Sequence, residues 1–180
     1  MTFTPAIGTP ADPESMGIQH IEYWDKATGG STAITTGHVV RRVDSTSVCA
    51  AVTTGMYGQF GVVARLWPNY DSTTLQGTTN TDTSNKVVVI CHPGARVYVQ
   101  ASGNIPKGSR VVAASTGLVA AYAEATWTAG TPGSFNLPLR EFEMIVGIYE
   151  GHYGESEQST GEPPTDATTG QTIRIRLGGA

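Results

Sequence analysis

The sequence predicts an all-β protein: a small antiparallel barrel or sandwich with an extended N-terminal arm and long loops. Three observations carry the prediction. First, 25 Thr, 16 Val and 10 Ile stand against 6 Leu, 3 Lys and 4 Met, so β-branched residues abound and straight-chain helix formers are scarce. Second, short runs of period-two hydrophobicity recur, separated by Gly, Pro and Asn turn signals at the 8 to 12 residue spacing of all-β folds. Third, 180 residues fit one compact domain with extended ends more easily than two domains.

The elements follow in order. Residues 1–27 read as an extended arm, because Pro5, Gly8, Pro10 and Pro13 interrupt any regular pairing while Phe3, Ile7, Tyr23 and Trp24 offer apolar anchors. Within the arm, Ile18 to Trp24 has the residues of a first strand, though its alternation is poor. Residues 28–180 then form a single β domain. His38 to Val43 and Ser47 to Thr53 are β-branched strands, and Gly58 to Trp67 continues the pattern with Phe60, Val62 and Val63. In the second of these, Val48, Ala50 and Val52 share one face and Cys49, Ala51 and Thr53 the other, so both faces can be buried. Asp71 to Asn85 is a polar loop with six Thr and one large apolar residue, Leu75.

The C-terminal half is more regular. Lys86 to Cys91 is a buried strand that ends at the turn His92-Pro93-Gly94. Arg96 to Gln100 alternates, with Val97 and Val99 inward. Arg110 to Ser115 and Leu118 to Ala123 are strands joined through Thr116-Gly117. A loop spans 126–140, and Phe142 to Tyr149 reads as a strand covered on both faces. Residues 151–170 form an acidic, mobile loop rich in Gly, Ser, Thr and Pro, and Gln171 to Leu177 closes the chain with Ile173, Ile175 and Leu177 facing the core.

Charge narrows the function. Charged residues make up 14% of the chain, where about 25% is usual, and the net charge is −4. That balance argues against phosphate-directed binding of nucleic acid, which needs clustered Lys and Arg. The apolar run Val87 to Cys91, like every other in the chain, is far too short to span a bilayer, so no membrane partner is expected. Met1 to Pro5 lacks the charged start and apolar centre of a secretory signal, which implies a chain that is mature or never exported.

No catalytic set stands out. His20, His38, His92 and His152 fall in no metal-protease motif, and there is neither a phosphate-cradling loop nor a serine elbow. His20 and Glu22 share a strand face, but the paired cysteines that deaminase chemistry requires are missing, so a solvated face is the better reading. His152 beside Glu150, Glu155 and Glu157 offers oxygen ligands without the periodicity of a calcium loop. Cys49 and Cys91 lie too far apart for a short-spaced metal pair and read as buried thiols. No enzymatic activity, cofactor or metal is expected. The aromatic residues beside loops, Tyr23, Trp24, Trp67, Tyr70 and Trp127, either anchor a protein interface, stack on sugars or plug the end of a core.

Several C-terminal segments carry a resemblance. His92-Pro-Gly-Ala-Arg-Val-Tyr-Val-Gln-Ala101, Ile105-Pro-Lys-Gly-Ser-Arg-Val-Val112, Ser115-Thr-Gly-Leu-Val-Ala120, Ile145-Val-Gly-Ile148 and the ending Gly170-Gln-Thr-Ile-Arg-Ile-Arg-Leu-Gly-Gly179 are similar to the capsid cement, or head decoration, proteins of tailed double-stranded DNA phages and related viruses. The resemblance covers roughly half the chain and rests on strand-and-turn patterns. It implies a β-tulip or small barrel on the outer surface of an icosahedral shell, made in the host cytoplasm. Its partners would be the major capsid protein and itself, as a homotrimer that clamps adjacent capsid subunits. The loops at 71–85 and 151–170 depart from the family's shorter members. The expected partner-binding residues are Phe3, Ile7, Tyr23, Trp24, Trp67, Tyr70 and Trp127, and the arm is expected to order on a partner. The competing reading is a glycan-binding or adhesin-type β module.

Overall fold

Thr, Val and Ile favour the pleated strand because a branched Cβ packs well there and loses rotamer freedom in a helix. The computed structural model accordingly contains strands and turns and, among the described residues, no α-helix. It describes residues 7–8, 21–26, 34–42, 48–51, 58–64, 86–123, 145–152 and 166–178. The strands are β1 (Ile21–Lys26), β2 (Val39–Arg42), β3 (Val48–Ala51), β4 (Phe60–Val63), β5 (Lys86–Ile90), β6 (Arg96–Gln100), β7 (Arg110–Ala113), β8 (Val119–Ala121), β9 (Ile145–His152) and β10 (Thr172–Leu177). A 3-10 turn, Ser115–Gly117, joins β7 to β8.

The first five strands close into a barrel in the order β1-β3-β2-β4-β5, with β5 pairing back onto β1. All of its pairings are antiparallel except β1 with β3, which is parallel. The other five form a sheet ordered β6-β10-β9-β7-β8. A parallel bridge between Ala101 and Val119 brings the two edges of this sheet together. Closure matters because an open edge offers unpaired backbone groups to any passing strand.

Alternation sorts the side chains into two cores. Trp24, Ile34, Val40, Val63 and Val89 fill the barrel, with Cys91 packed against them. Their strand neighbours Val39, Val62 and Ile90, with Phe60 and Ala64, join a larger cluster with Val97, Val99, Val111, Val119, Ile173 and Ile175 of the sheet. One wall of the barrel is therefore buried on both faces, and the inward positions expected for β6 and β10 are fully buried.

Two boundaries differ from the sequence reading. The arm expected over 1–27 ends earlier, because Ile21–Lys26 is strand β1 and closes the barrel between β3 and β5. The loop expected over 151–170 is shorter at both ends. Gly151 and His152 belong to β9, and Ala167, fully buried, pairs with Ile105 ahead of a turn at 169–170. The loops expected at 71–85 and 126–140 lie outside the described residues.

Candidate interaction surfaces

The barrel has a polar mouth. Glu22 and Trp24, two apart on β1, share one face, and the indole Nε1 donates to Glu22 Oε2 at 2.7 Å. Arg42, at the end of β2, donates to the same oxygen from Nη2 at 2.9 Å and to Gln59 Oε1 from Nη1 at 3.0 Å. Its guanidinium also lies 5.1 Å from the centre of the Trp24 ring, within cation–π range. Trp24 is thus 0% exposed with its one polar atom satisfied. The indole bond, followed by the Cys91 thiol and Arg42, holds the Glu22 carboxyl below its ordinary value against the opposing effect of burial. Burial, then the Glu22 charge, pushes the Cys91 thiol up to about 12, so it remains a protonated, weakly nucleophilic group.

A second cluster lies where barrel and sheet meet. The Thr35 backbone N–H donates to His38 Nδ1 at 3.3 Å. The neutral ring then carries its proton on Nε2, which lies 2.7 Å from Thr35 Oγ1. The His38 side chain packs on Gly117 of the 3-10 turn, whose φ of +77° and close approach both require glycine. Burial lowers the His38 pKa.

At the same junction the Gly8 N–H donates to the Tyr98 carbonyl at 2.6 Å, on the side of β6 away from β10, while Ile7 lies half-buried over Gly37. This part of the arm covers a sheet edge of its own domain.

The third feature is the outer face of the sheet. In register, Arg96 of β6 stands beside Arg176 of β10, Arg176 beside Ile148 of β9, and Ile148 beside Arg110 of β7. A bulge in β9 makes Glu150 the extra residue between Tyr149, opposite Ile175, and Gly151, opposite Arg174. Gly151 takes the positive φ, 139°, and Glu150 turns onto the arginine face. Its carboxylate accepts a hydrogen bond from Arg96 Nε at 2.9 Å and forms ion pairs with Arg176 Nε at 3.3 Å and Arg174 Nε at 3.6 Å.

The structure redistributes the expected site. Trp24 is corrected from a partner anchor to the centre of the barrel core, because a buried indole with a satisfied N–H has nothing left to offer a partner. Ile7 is held on its own domain, against the expectation that the arm orders on a partner alone. Glu150, read beside His152 as a possible oxygen ligand, is engaged by three arginines. Phe3, Trp67, Tyr70 and Trp127 lie outside the described residues, as does the side chain of Tyr23. The arginine row was missed. Its signal was the outward position of Arg96, Arg174 and Arg176 on two clean alternating strands, but that two strands were neighbours in register was not visible.

Among the described residues there is no group of three or more His, Cys, Asp or Glu placed to hold a metal ion, and no helix is long and apolar enough to cross a membrane. The site and fold together define an all-β small-barrel protein whose notable surface chemistry is ionic pairing. No family model matches the chain, and no curated protein matches it. Among solved structures it is similar to the N base of head fiber gp8.5 of bacteriophage phi29, with a TM-score of 0.46, 9% identity, and coverage of 87% of this chain and 92% of that one.

Proposed function

We propose that this chain is a structural protein of a phage virion that sits on the outside of the icosahedral capsid and stabilises it by clamping adjacent major capsid protein subunits, acting as a homotrimer. One observation carries the reading. The segments that resemble cement proteins, from His92 to Ala120, Ile145 to Ile148 and Gly170 onward, are scattered along the chain, yet they build a single unit, the β6–β10 sheet. Val97, Val99, Val111, Val146, Ile173 and Ile175 of those segments share one core. A likeness confined to turns would leave no such common core.

The closed barrel and the bridged sheet suit a coat component, since neither offers a long open edge for uncontrolled strand addition. Clamping gains from symmetry: several copies around one axis multiply a modest affinity through effective concentration. Phe3, Tyr23, Trp67, Tyr70 and Trp127 remain the proposed anchors on the shell. The test is to add purified protein to particles that lack it and follow shell integrity on heating. Decorated particles should survive a higher temperature than bare ones. Failure to bind, or equal survival after saturation, overturns the reading and favours a glycan-binding module.

A further inference from the structure

Barrel, sheet and arm converge on the turn Thr35-Thr36-Gly37-His38, which the His38 N–H closes by donating to the Thr35 carbonyl at 3.1 Å. On the barrel side, the Gly37 N–H donates to the Val63 carbonyl at 2.8 Å, and the Val63 N–H donates to the His38 carbonyl at 2.9 Å. On the sheet side, the His38 side chain packs on Gly117. From the arm, Ile7 and Gly8 sit against the turn at backbone contact. A Cβ at Gly37 would stand 2.6 Å from Ile7 Cβ, and one at Gly8 would stand 2.5 Å from the Val63 carbonyl oxygen. Gly8 and Gly37 are both buried, and the Gly8 N–H reaches the Tyr98 carbonyl of β6 at 2.6 Å.

The imidazole braces this turn from within. It accepts the Thr35 N–H on Nδ1 and meets Thr35 Oγ1 with Nε2. A protonated ring carries a hydrogen on both nitrogens. Nδ1–H then faces the Thr35 N–H, donor against donor, and a positive charge stands in a half-buried site. By swinging outward the ring escapes both costs, but it then withdraws from Gly117 and leaves the seat of Ile7 and Gly8 without its brace. The packed elements carry Arg41 and Arg42 on β2 and Arg96 and Tyr98 on β6, while the turn, Val63, Ser115 and Gly117 bring no charge. Burial alone is what holds the ring neutral at pH 7, so it takes up its proton below 6.5.

We propose that the Thr35–His38 turn is an acid-operated latch on the N-terminal arm: with His38 neutral it holds Ile7 and Gly8 on the seam between barrel and sheet, and protonation of the ring lets them go. Arm and proton compete for the same turn, so each weakens the hold of the other. The release is local. The aliphatic core around Val97 and Ile175 holds nothing that titrates between pH 7 and 5, and the sheet therefore stays ordered while the arm leaves. This is a movement within the chain, and it stands whether or not the protein coats a shell.

The test is NMR spectroscopy of the full, isotope-labelled chain between pH 7 and 5. At pH 7 the Gly8 amide should share the rigid order parameter of Val97, about 0.85, and on acidification it should fall below about 0.6. The midpoint of that fall should coincide with the titration of the His38 ring signals, below 6.5, and Val97 should not change. In His38→Gln, which cannot take up the proton, the Gly8 value should no longer depend on pH. The reciprocal variant is Gly8→Ala, whose Cβ collides with the Val63 carbonyl and dislodges the arm. There the His38 midpoint should rise toward 6.5 by at least about 0.3 pH units, a twofold gain in proton affinity. The titration of the unaltered chain does not depend on how either variant folds. A Gly8 amide still rigid after His38 has titrated, simultaneous loss of order at Gly8 and Val97, persistent pH dependence in His38→Gln, or an unmoved midpoint in Gly8→Ala overturns the proposal.

Discussion

The barrel and the sheet solve the same problem with different chemistry. The sheet is held by a largely aliphatic cluster of Val, Ile, Ala and Leu with Tyr149 and, from the barrel wall, Phe60, and its ionic groups are kept on the outer face around Glu150. The barrel has a smaller interior built on one large side chain, Trp24, whose N–H must be satisfied, and so ionic groups are drawn to its mouth. A small core that relies on one aromatic residue concentrates its stability at one position. An aliphatic core spreads the same stability over many.

Trp24→Ala is expected to produce the largest effect, a loss of about 3–5 kcal/mol in denaturant unfolding, the range for large aromatic-to-alanine changes in cores. Trp24→Phe should restore most of it. Hydrogen exchange on Trp24→Ala would sharpen the contrast, since the amides of Val63 and Val89 should lose protection before those of Val97 and Ile175. Equal loss in both units would mean that they unfold as one and that the contrast fails.

Ile175→Ala probes the other side. A cost of about 2–4 kcal/mol is expected, smaller than at Trp24 because neighbouring aliphatic side chains share the burial. A cost exceeding that of Trp24→Ala in the same assay would reverse the comparison.

Acid should act on the barrel side first, with a smaller effect. The folded pKa of His38 is lowered by burial, so its contribution is fully present above the unfolded value of 6.5 and is lost as pH falls from there through the folded value. Protonation also removes the Nδ1 lone pair that accepts from Thr35. Glu22, likewise lowered, adds a second loss as pH falls below its ordinary 4.5. Melting temperature measured between pH 7 and 5 should therefore decline, and His38→Gln should flatten that decline. An unchanged slope in the variant would assign the acid sensitivity to another group.

The smallest effect concerns Cys91. With its thiol raised to about 12, alkylation at pH 8 should be many times slower in the folded protein than in denaturant, read by peptide mass at that residue. Rapid labelling in the native state would mean that the barrel mouth opens readily.

Most of the described strands beyond β1 were legible because they declare themselves locally. Arg96 to Gln100 and Thr172 to Leu177 show the alternation that the structure turns into buried and outward rows. What stayed hidden depends on partners distant in sequence. Trp24 follows a run of Pro and Gly and looked like the end of an arm, because the strands that flank β1, around Val48 and Val87, supply its hydrogen bonds from far along the chain. Glu150 looked like part of an acidic tract, and only the bulge opposite Arg174 and Ile175 shows that it serves the arginine face. The arginine row needs the order β6-β10-β9-β7, which no local pattern encodes.

The central claim, attachment to the outside of a capsid, is tested most directly by cryo-electron microscopy of particles carrying the protein. The account predicts density for the five-stranded barrel and the adjoining sheet on the outer surface, repeated with the symmetry of the shell and touching more than one capsid subunit. Density confined to a fibre or tail, density inside the shell, or particles that lack the protein altogether would contradict it.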